Sequence, residues 1–407
     1  MDRRQTLALS LMCGILLLCG VHCKPTRRVT GEALQPFLAR ACNRVSLGVY
    51  EEVSKSSNNV VFSPVSLCTL LAVCVRSAAD KTLNELRRSL FLELVDKREM
   101  LSVYGAVYRD FMNDPNITIS ATNIMFVNRN FQLVDKAAQD YKETFNGTFE
   151  EFDPQTKSEV SRSINNMVSS ATHGMLKGKL RAVDITSDQA LYLFNTLFMS
   201  ARWRDQFASR ETRLQKFYLN STTHIMVPTM HRSGYYRWNK NEKLGFNILE
   251  LPYEGNRFAM YIILPLEKDG LGRLEKMLTP ERTLRLEKAI TKLKRASKWE
   301  VYLPKFSVTQ SFSIKSALQK FGINRLFDEK RADLSGLIKG GNVHVSEAFH
   351  DSAISVTERG TVAGTYSKMS FYYLSAIPLF NVNRPFMYVL RDTTTGFNVF
   401  MGRCIRP

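Results

Sequence analysis

The first part of the chain carries the apolar spacing of helices. Residues 33 to about 55, ALQPFLARACNRVSLGVYEEVSK, repeat apolar side chains at helical intervals and predict an amphipathic helix. The segment FSPVSLCTLLAVCVRSAA then places Ser63 and Pro64 as a cap and first-turn pair ahead of a buried helix. A third helix is predicted for DKTLNELRRSLF, with Asp80 as its cap.

The rest of the chain is patterned mostly for strands. Residues 116–128, NITISATNIMFVN, alternate apolar and polar positions. Four later segments carry β-branched and aromatic residues between turn signals: ALYLFNTLFMSARW, LGFNILELPY, NRFAMYIILPL and KWEVYLPKFSVTQSF. The segment LTPERTLRLEKAITKLKRASK interrupts them as a predicted basic helix. Helices followed by strands, without a regular β–α–β alternation, predict an α+β fold.

The start of the chain has the pattern of a secretory signal peptide. Residues 1–23, MDRRQTLALSLMCGILLLCGVHC, combine a charged start with an apolar run from about Thr6 to Leu18. They end with small side chains near Val21 and Cys23. The apolar run is too short to span a membrane comfortably. The chain of 407 residues is 44% hydrophobic, which is enough for a sizeable core. We therefore expect residues 24–407 to form one domain of a soluble, secreted, extracellular protein.

Charge points to the partners of such a protein. The formal net charge of +18 falls only to +17 without residues 1–23, which contain two arginines and one aspartate. A secreted protein this basic is expected to bind polyanions, and outside cells these are mostly sulfated glycosaminoglycans such as heparin, not nucleic acid. Three sequons for N-glycosylation mark expected surface positions at Asn116, Asn146 and Asn220.

Cysteines are sparse. Seven in a chain of this length are too few for a disulfide scaffold, and three of them belong to the predicted signal peptide. The apolar surroundings of Cys68 and Cys74 suggest small buried hydrophobes. The sequence leaves the disulfide state of the remaining four open: Cys42, Cys68, Cys74 and Cys404.

The sequence lacks the motifs of the common enzymes. It contains no His-Glu-x-x-His, no Cys-x-x-Cys, no phosphate-loop lysine motif and no Gly-x-Ser-x-Gly. His344 and His350 flank Glu347 in HVSEAFH, but this segment alternates like a strand, so the three side chains do not share a helical face. We therefore predict no catalytic residue, no metal site and no cofactor.

Several short strings together resemble one family, the serpins. In chain order they are NVVFSPVSLCTLLAV, NTLFMSARWRDQF, VPTMHRSGYY, LELPYEGNRFAMYIILP, RADLSGLI, VSEAFHDSAISVTERGT and NRPFMYVLRDTTTGFNVFMGRCIRP. The resemblance covers essentially the whole mature chain. It implies the serpin fold, with three β-sheets, eight or nine helices and an exposed reactive-centre loop at about residues 359–380.

The resemblance also implies suicide inhibition. A protease cleaves the loop, forms an acyl-enzyme, and is trapped when the cleaved loop inserts as a strand into the main sheet, a known instance of strand addition. If the loop becomes a strand beyond Glu358 and Gly360, one of its faces carries residues that stay small until Met369. These residues are Thr361, Ala363, Thr365 and Ser367, and together with Glu358 and the pivot Gly360 they form the predicted hinge.

The other face of that strand carries the bulkier residues. Tyr366 and Lys368 would face solvent, and a slip of one residue would bury them instead. Val362 stands where the family commonly has an acidic residue, and Tyr366 where a small one is usual. Both fall on the outward face, so we expect them to slow insertion at worst.

The spacing of residues along the loop predicts the bait bond, which is the bond that the protease cleaves. Gly360 to Pro385 is 25 residues, which is typical of inhibitory serpins, and the residue fourteen after Gly360 is Leu374. The resemblance therefore implies cleavage at Leu374–Ser375, with Tyr372 and Tyr373 beside it; a slip of one residue would make Tyr373 the bait. An apolar bait suits a chymotrypsin-like serine protease of the chymase or cathepsin G type, because a trypsin-like pocket needs Lys or Arg.

The resemblance assigns two further groups of residues, which control how the sheet opens. In the family's terms these are the shutter beneath the sheet and the breach where the loop first enters. The shutter matches are Ser63, Ser66, Asn195 and His350, and the breach matches are Trp203 and Glu358.

The predicted basic helix is a candidate glycosaminoglycan site. Lys288, Lys292 and Arg295 are spaced i, i+4 and i+7, which would place them on one helical face together with nearby Lys294 and Lys298. Some serpins bind heparin on the corresponding helix. The alternative is a helix whose cations are merely solvated.

These patterns favour a secreted, glycosylated, monomeric inhibitor of chymotrypsin-like serine proteases that binds neither nucleic acid nor the membrane interior. The alternative is a non-inhibitory serpin that carries a small ligand or serves as a binding module. Tyr366 is the residue that most favours this alternative, because it stiffens the hinge. An enzyme is not expected.

Overall fold

The computed structural model describes residues 28–55, 58–171, 174, 181–182, 185, 191–340, 343–361 and 377–407. Several predicted features lie outside these residues. They are the signal peptide at 1–23, the hinge residues Ala363, Thr365 and Ser367, and the bait region with Tyr372, Tyr373, Leu374 and Ser375.

Nine α-helices occur in the described part of the chain. They are α1 (Leu34–Val53), α2 (Pro64–Ser77), α3 (Asp80–Ser89), α4 (Lys97–Met112), α5 (Asp135–Phe145), α6 (Lys157–Ala171), α7 (Leu271–Met277), α8 (Thr283–Thr291) and α9 (Lys315–Lys320). Short 3-10 turns occur at Gly31–Ala33, Ser209–Glu211, Pro280–Arg282 and Arg325–Phe327.

The helix starts follow the predicted capping chemistry only in part. Ser63 caps α2 as expected, since its hydroxyl accepts a hydrogen bond from the Ser66 N–H and Pro64 is the first helical residue. The predicted cap of α3 is wrong by one residue. Ala79 takes the capping position because its N–H is held by the Asp333 carbonyl, at 3.2 Å, and Asp80 begins the helix itself.

The strands form three sheets. The main sheet has the order β11 (Phe306–Ser313), β12 (Val345–Val356), β4 (Leu191–Arg202), β2 (Ile117–Asn128), β3 (Thr148–Phe152), and β13 (Gly360–Thr361) also pairs with β4. The small sheet has the order β14 (Leu379–Asn381), β10 (Ser297–Pro304), β6 (His224–Tyr236), β5 (Arg213–Tyr218). The core sheet has the order β1 (Val60–Phe62), β16 (Asn398–Cys404), β15 (Phe386–Asp392), β9 (Phe258–Pro265), β8 (Phe246–Pro252), β7 (Trp238–Asn241).

The predicted strand at 116–128 is confirmed as β2, but the segment KWEVYLPKFSVTQSF holds two strands rather than one. β10 belongs to the small sheet and β11 to the main sheet. The chain crosses between them at Lys305, whose N–H donates to the Pro228 carbonyl at 2.9 Å. An alternating pattern cannot show such a change of sheet, because both strands keep the same period.

The predicted basic helix is shorter than expected. α8 ends at Thr291, so Lys292 and Arg295 do not share a helical face with Lys288, and Lys298 lies on β10. Tertiary contacts end the helix: the Lys294 N–H donates to the Trp238 carbonyl at 2.8 Å, and the next residues turn into β10. Pairing with a neighbouring strand thus overrides local helix propensity.

Both faces of the main sheet are covered. Leu193 and Leu197 of β4 belong to the main hydrophobic cluster, which includes α1, α2, α4 and the core sheet. Alternate residues, such as Tyr192, belong to a smaller cluster with Val160 and Ile164 of α6. Since neighbouring side chains on a strand point to opposite faces, a strand added beside β4 would have one face against the main cluster.

Two further features bear on the sequence predictions. Cys42, Cys68, Cys74 and Cys404 are buried free thiols. No helix in the described ranges is both long enough and apolar enough to cross a membrane.

Candidate functional site

The main sheet has an open end between β12 and β4. The two strands pair in parallel as far as Ala353 opposite Phe198, and beyond that point β12 pairs only with β11 among the described strands. β4 continues, and β13 pairs antiparallel with its end, with Gly360 opposite Arg202. The chain therefore leaves β12, reverses, and re-enters the same sheet beside β4.

A two-residue turn makes this reversal. Thr357 and Gly360 exchange backbone hydrogen bonds of 2.9 and 3.2 Å across Glu358 and Arg359. Gly360 has φ +138°, and a Cβ on it would lie 2.1 Å from the Ala201 carbonyl oxygen. Only glycine tolerates both this φ and this approach. The residue predicted to be the pivot thus lies at the point of reversal.

Trp203 fixes the turn to the end of β4. Its indole N–H donates to the Thr357 carbonyl at 3.0 Å, and its backbone N–H donates to the Arg359 carbonyl at 3.0 Å. The ring is buried and stacks on Tyr253, with 4.4 Å between centroids. This tryptophan, predicted to lie at the breach, therefore anchors the backbone from which the loop starts.

Glu358 ties the same turn to the small sheet. Its carboxylate accepts hydrogen bonds from Thr212 Oγ1 at 2.9 Å and from Lys305 Nζ at 3.0 Å. Burial alone would raise the pKa of this carboxyl, but hydrogen bonds from its own backbone N–H, Lys305 and Thr212 outweigh burial and lower the pKa. The sequence reasoning assigned Glu358 but missed both partners, because neither has a distinguishing local pattern.

A buried hydrogen-bond network joins β12, β4 and α2 below the open end. His350 lies opposite Asn195, and its Nδ1 is 2.7 Å from the Asn195 Oδ1. The same oxygen accepts a hydrogen bond from Ser66 Oγ at 2.6 Å, and the Asn195 amide donates to Asn123 at 2.6 Å. The Ser63 N–H donates to His350 Nε2 at 2.8 Å. The structure thus brings all four predicted shutter residues together and adds Asn123 from β2.

The protonation state of His350 follows from these partners. A backbone N–H can only donate, so Nε2 is the acceptor and Nδ1 carries the hydrogen that bonds to Asn195. Complete burial lowers the pKa of His350 to about 3. The imidazole is therefore neutral at physiological pH and cannot gain a proton without losing the bond from Ser63.

Acid should weaken this network. The pKa of His350 is below that of an unfolded histidine, about 6.5, so the unfolded state binds a proton first as the pH falls. The contribution of neutral His350 to the free energy of unfolding is therefore fully present above pH ~6.5. It declines toward pH ~3, by up to about 1.4 kcal/mol per pH unit.

We expect the urea concentration at the midpoint of unfolding to fall between pH 7 and pH 4.5, and to fall less steeply in His350→Asn. His224→Gln, at an exposed histidine, is the control; equal slopes in all three proteins would contradict the role of His350.

Four of the predicted glycosaminoglycan residues, here called the cationic region, lie on α8 or within four residues of its end. Lys288, Lys292, Lys294 and Arg295 are exposed, and Lys294 Nζ lies 4.6 Å from the centre of the Trp238 ring on β7. Lys294 thereby links the end of α8 to the edge of the core sheet.

The three sequon asparagines are exposed. Asn116 precedes β2, Asn146 follows α5 in the left-handed region at φ +48°, and Asn220 lies in a turn after β5. Among the described residues, no cluster of three or more His, Cys, Asp or Glu side chains is placed to hold a metal ion.

Comparison with known proteins identifies the class. A family model described as Serpin (serine protease inhibitor) matches residues 40–407. The chain is 29% identical to alpha-1-antiproteinase of Ovis aries, over 98% of this chain and 99% of that protein. It is 30% identical to alpha-1-antichymotrypsin of Pongo abelii, over 96% of this chain and 95% of that protein. The crystal structure of human thyroxine-binding globulin aligns with a TM-score of 0.83 at 22% identity, covering 92% of this chain and 100% of that one.

The chain belongs to the serpin family, a family of serine protease inhibitors whose members are generally not enzymes. The predicted α+β serpin fold is confirmed, with three sheets and nine helices among the described residues. The likeness to thyroxine-binding globulin at 22% identity shows the fold alone.

Proposed function

We propose that this protein is a secreted, monomeric inhibitor that traps chymotrypsin-like serine proteases by inserting its cleaved loop into the main sheet. The observation that carries this proposal is the pairing of β13 with β4 at the open end, beside the unpaired end of β12. The chain after Gly360 starts in the direction and position of an added antiparallel strand.

The register of β13 supports the proposal. Thr361 lies opposite Ala201, so an extension in the same register would place residue 363 opposite Met199, 365 opposite Leu197 and 367 opposite Asn195. Directly opposite residues share a face of the sheet. Ala201, Met199 and Leu197 all belong to the main hydrophobic cluster, so residues 361, 363, 365 and 367 would face it. These are the small residues of the hinge.

Insertion would also have to separate His350 from Asn195, since they form part of the pairing between β12 and β4. Each new backbone hydrogen bond contributes about 0.5–1.5 kcal/mol net. A strand of roughly ten residues that gains a ladder on both sides could therefore stabilise the cleaved form by on the order of 10 kcal/mol. That gross gain is offset by the loss of the existing ladder between β12 and β4 and of the side-chain bonds at the shutter, so the net gain is about one ladder of backbone bonds less those side-chain bonds.

The proposed bait bond is Leu374–Ser375, flanked by Tyr372 and Tyr373. Leucine fills an apolar primary pocket of the chymotrypsin type. The similarity to alpha-1-antichymotrypsin of Pongo abelii supports this class of target, as far as the name of that protein indicates. The target class of chymase or cathepsin G type is part of the proposal.

The test is incubation with chymotrypsin or cathepsin G followed by a denaturing gel. We expect a band of covalent complex and a released peptide that begins at Ser375. Cleavage at Leu374–Ser375 without a complex, and without a gain in heat stability, would show a substrate and contradict trapping.

The second candidate is a non-inhibitory serpin that carries a ligand or acts as a binding module. Tyr366 favours it, because a bulky residue in the hinge slows insertion. The same gel distinguishes the two functions, since only an inhibitor forms the covalent complex.

We further propose that the cationic region around the end of α8 binds heparin or related glycosaminoglycans. Replacement of Lys288, Lys292, Lys294 and Arg295 by Ala should lower the salt concentration that releases the protein from a heparin column, because ion pairs with sulfate are screened by salt. A matched control removes four exposed cations elsewhere: Arg40, Lys81, Arg98 and Lys142. Release of both variants at the same salt concentration would contradict a local site.

A further inference from the structure

An aromatic stack joins β12 to β4 on the face of the main sheet that packs against α6. Phe349 lies directly opposite Phe194 in the parallel pairing of these two strands. Their rings stack with 4.9 Å between centroids and 15° between planes. Phe194 is buried and Phe349 is half-buried. The two strands are therefore held together here by side chains as well as by their backbone ladder.

The rest of the smaller hydrophobic cluster holds Phe194 in place. Phe126 of β2 meets the Phe194 ring edge-on, with 5.5 Å between centroids, and the centroid of the Tyr192 ring lies 6.4 Å away. Phe349 packs against the same cluster, and its stack on Phe194 joins it to these rings. The boundary between β4 and β12 thus runs between Phe194 and Phe349.

The stack lies one residue away from the shutter, on the opposite face of the sheet. Asn195 and His350 follow Phe194 and Phe349 in their strands, and neighbouring residues of a strand point to opposite faces. The shutter pair is bonded to α2, whereas the stack packs toward α6. The two strands are therefore fastened at the same level on both faces.

The stack and an inserted strand exclude each other. Neighbouring strands lie about 4.8 Å apart, so a strand placed between β12 and β4 would set them about 9.6 Å apart. The two rings would then be separated by well over about 7 Å, which is the limit for contact between aromatic rings. Any opening of the sheet that admits a strand must therefore break this ring pair.

We propose that the Phe194–Phe349 stack is a latch that limits how often β12 separates from β4. This inference rests on the proposed function and deepens it, because it names a ring pair that regulates insertion. Aromatic pairs stabilise a structure beyond the apolar area that they bury. The latch would therefore keep the sheet closed before the loop is cleaved, and it would also slow insertion afterwards.

Hydrogen exchange of the amides in β12 measures this opening without a protease. We expect Phe349→Leu to speed the exchange of peptides that cover β12 about three- to tenfold, because it removes the ring pair. Phe349→Tyr keeps the ring and should stay within about twofold of the unmodified protein. The matched control is Phe126→Leu, which removes a ring beside Phe194 on the side of β2 and leaves the stack itself in place. It should change the exchange of β12 by less than about twofold.

The control separates the latch from a general loss of stability. Phe126 is 3% exposed, so its truncation should lower the melting temperature at least as much as truncation of the half-buried Phe349. Equal acceleration of β12 by both leucine variants, or no acceleration by Phe349→Leu, would overturn the latch. If Phe349→Leu does not fold, Phe349→Met removes the ring with a smaller loss of volume and is judged in the same way.

These results are independent of whether the protein traps proteases. Faster exchange in Phe349→Leu supports the latch even if chymotrypsin gives no covalent complex, which would contradict the proposed function alone. Unchanged exchange overturns the latch even if the complex forms. If the unmodified protein traps, Phe349→Leu should also raise the fraction of cleaved molecules found as covalent complex. An unchanged fraction would overturn the role of the latch in insertion.

Discussion

Ala363→Arg is expected to turn the protein from an inhibitor into a substrate. In the register set by β13, residue 363 would lie opposite Met199, which belongs to the main hydrophobic cluster. Insertion would then bury an unpaired guanidinium, at a cost of at least several kcal/mol. Because trapping is a race between insertion and hydrolysis of the acyl bond, a slower insertion releases the protease. The covalent band on a denaturing gel should disappear while cleavage at Leu374–Ser375 continues.

The matched control is Val362→Arg, which places the same side chain on the face that stays in solvent. We expect this variant to keep most of its covalent complex. If both variants trap equally well, the loop does not insert in the register of β13. If only Val362→Arg fails, the face assignment is wrong and residue 362 faces the core; if both fail, the face on which the arginine lies does not decide trapping.

Leu374→Arg is expected to change the class of protease that the protein inhibits. A charged side chain cannot enter an apolar primary pocket without a large desolvation cost, whereas a trypsin-like pocket pairs it with a buried carboxylate. We expect the rate of complex formation with chymotrypsin to fall by about 10³-fold or more, since each 1.36 kcal/mol is a factor of ten. Complex formation with trypsin should appear in its place, measured from the progress curves of each protease.

Lys368→Ala is the control for this second change, because Lys368 is the nearest basic residue before the bait. It should leave both rates as they are in the unmodified protein. Persistent inhibition of chymotrypsin by Leu374→Arg, with a released peptide that begins at residue 374, would instead identify Tyr373 as the bait residue.

Much of the fold could be predicted from local sequence patterns, because at many positions the local preference agrees with the tertiary structure. The Ser63–Pro64 pair marked the start of α2, and the alternation at 116–128 marked β2, because capping and period act within a few residues. For the segment LTPERTLRLEKAITKLKRASK, the sequence predicted a helix that is too long. Its residues favour a helix locally, but the Trp238 carbonyl and the pairing of β10 end it at Thr291.

The candidate site was readable only through likeness to a family. Ser63, Asn195 and His350 are far apart in sequence, and nothing in their local patterns predicts that they meet. Lys305 and Thr212, which hold Glu358, were missed for the same reason.

The sequence by itself determined the α+β class, the membership in a family and the small residues on one face of the segment after Gly360. Those properties depend on composition and period along the chain, which need no partner. Only the tertiary structure decided where α8 ends, which side chains bond His350, and that β13 already pairs with β4 at the open end. These depend on contacts between residues that are distant in the sequence, and such contacts form only when packing brings the strands together.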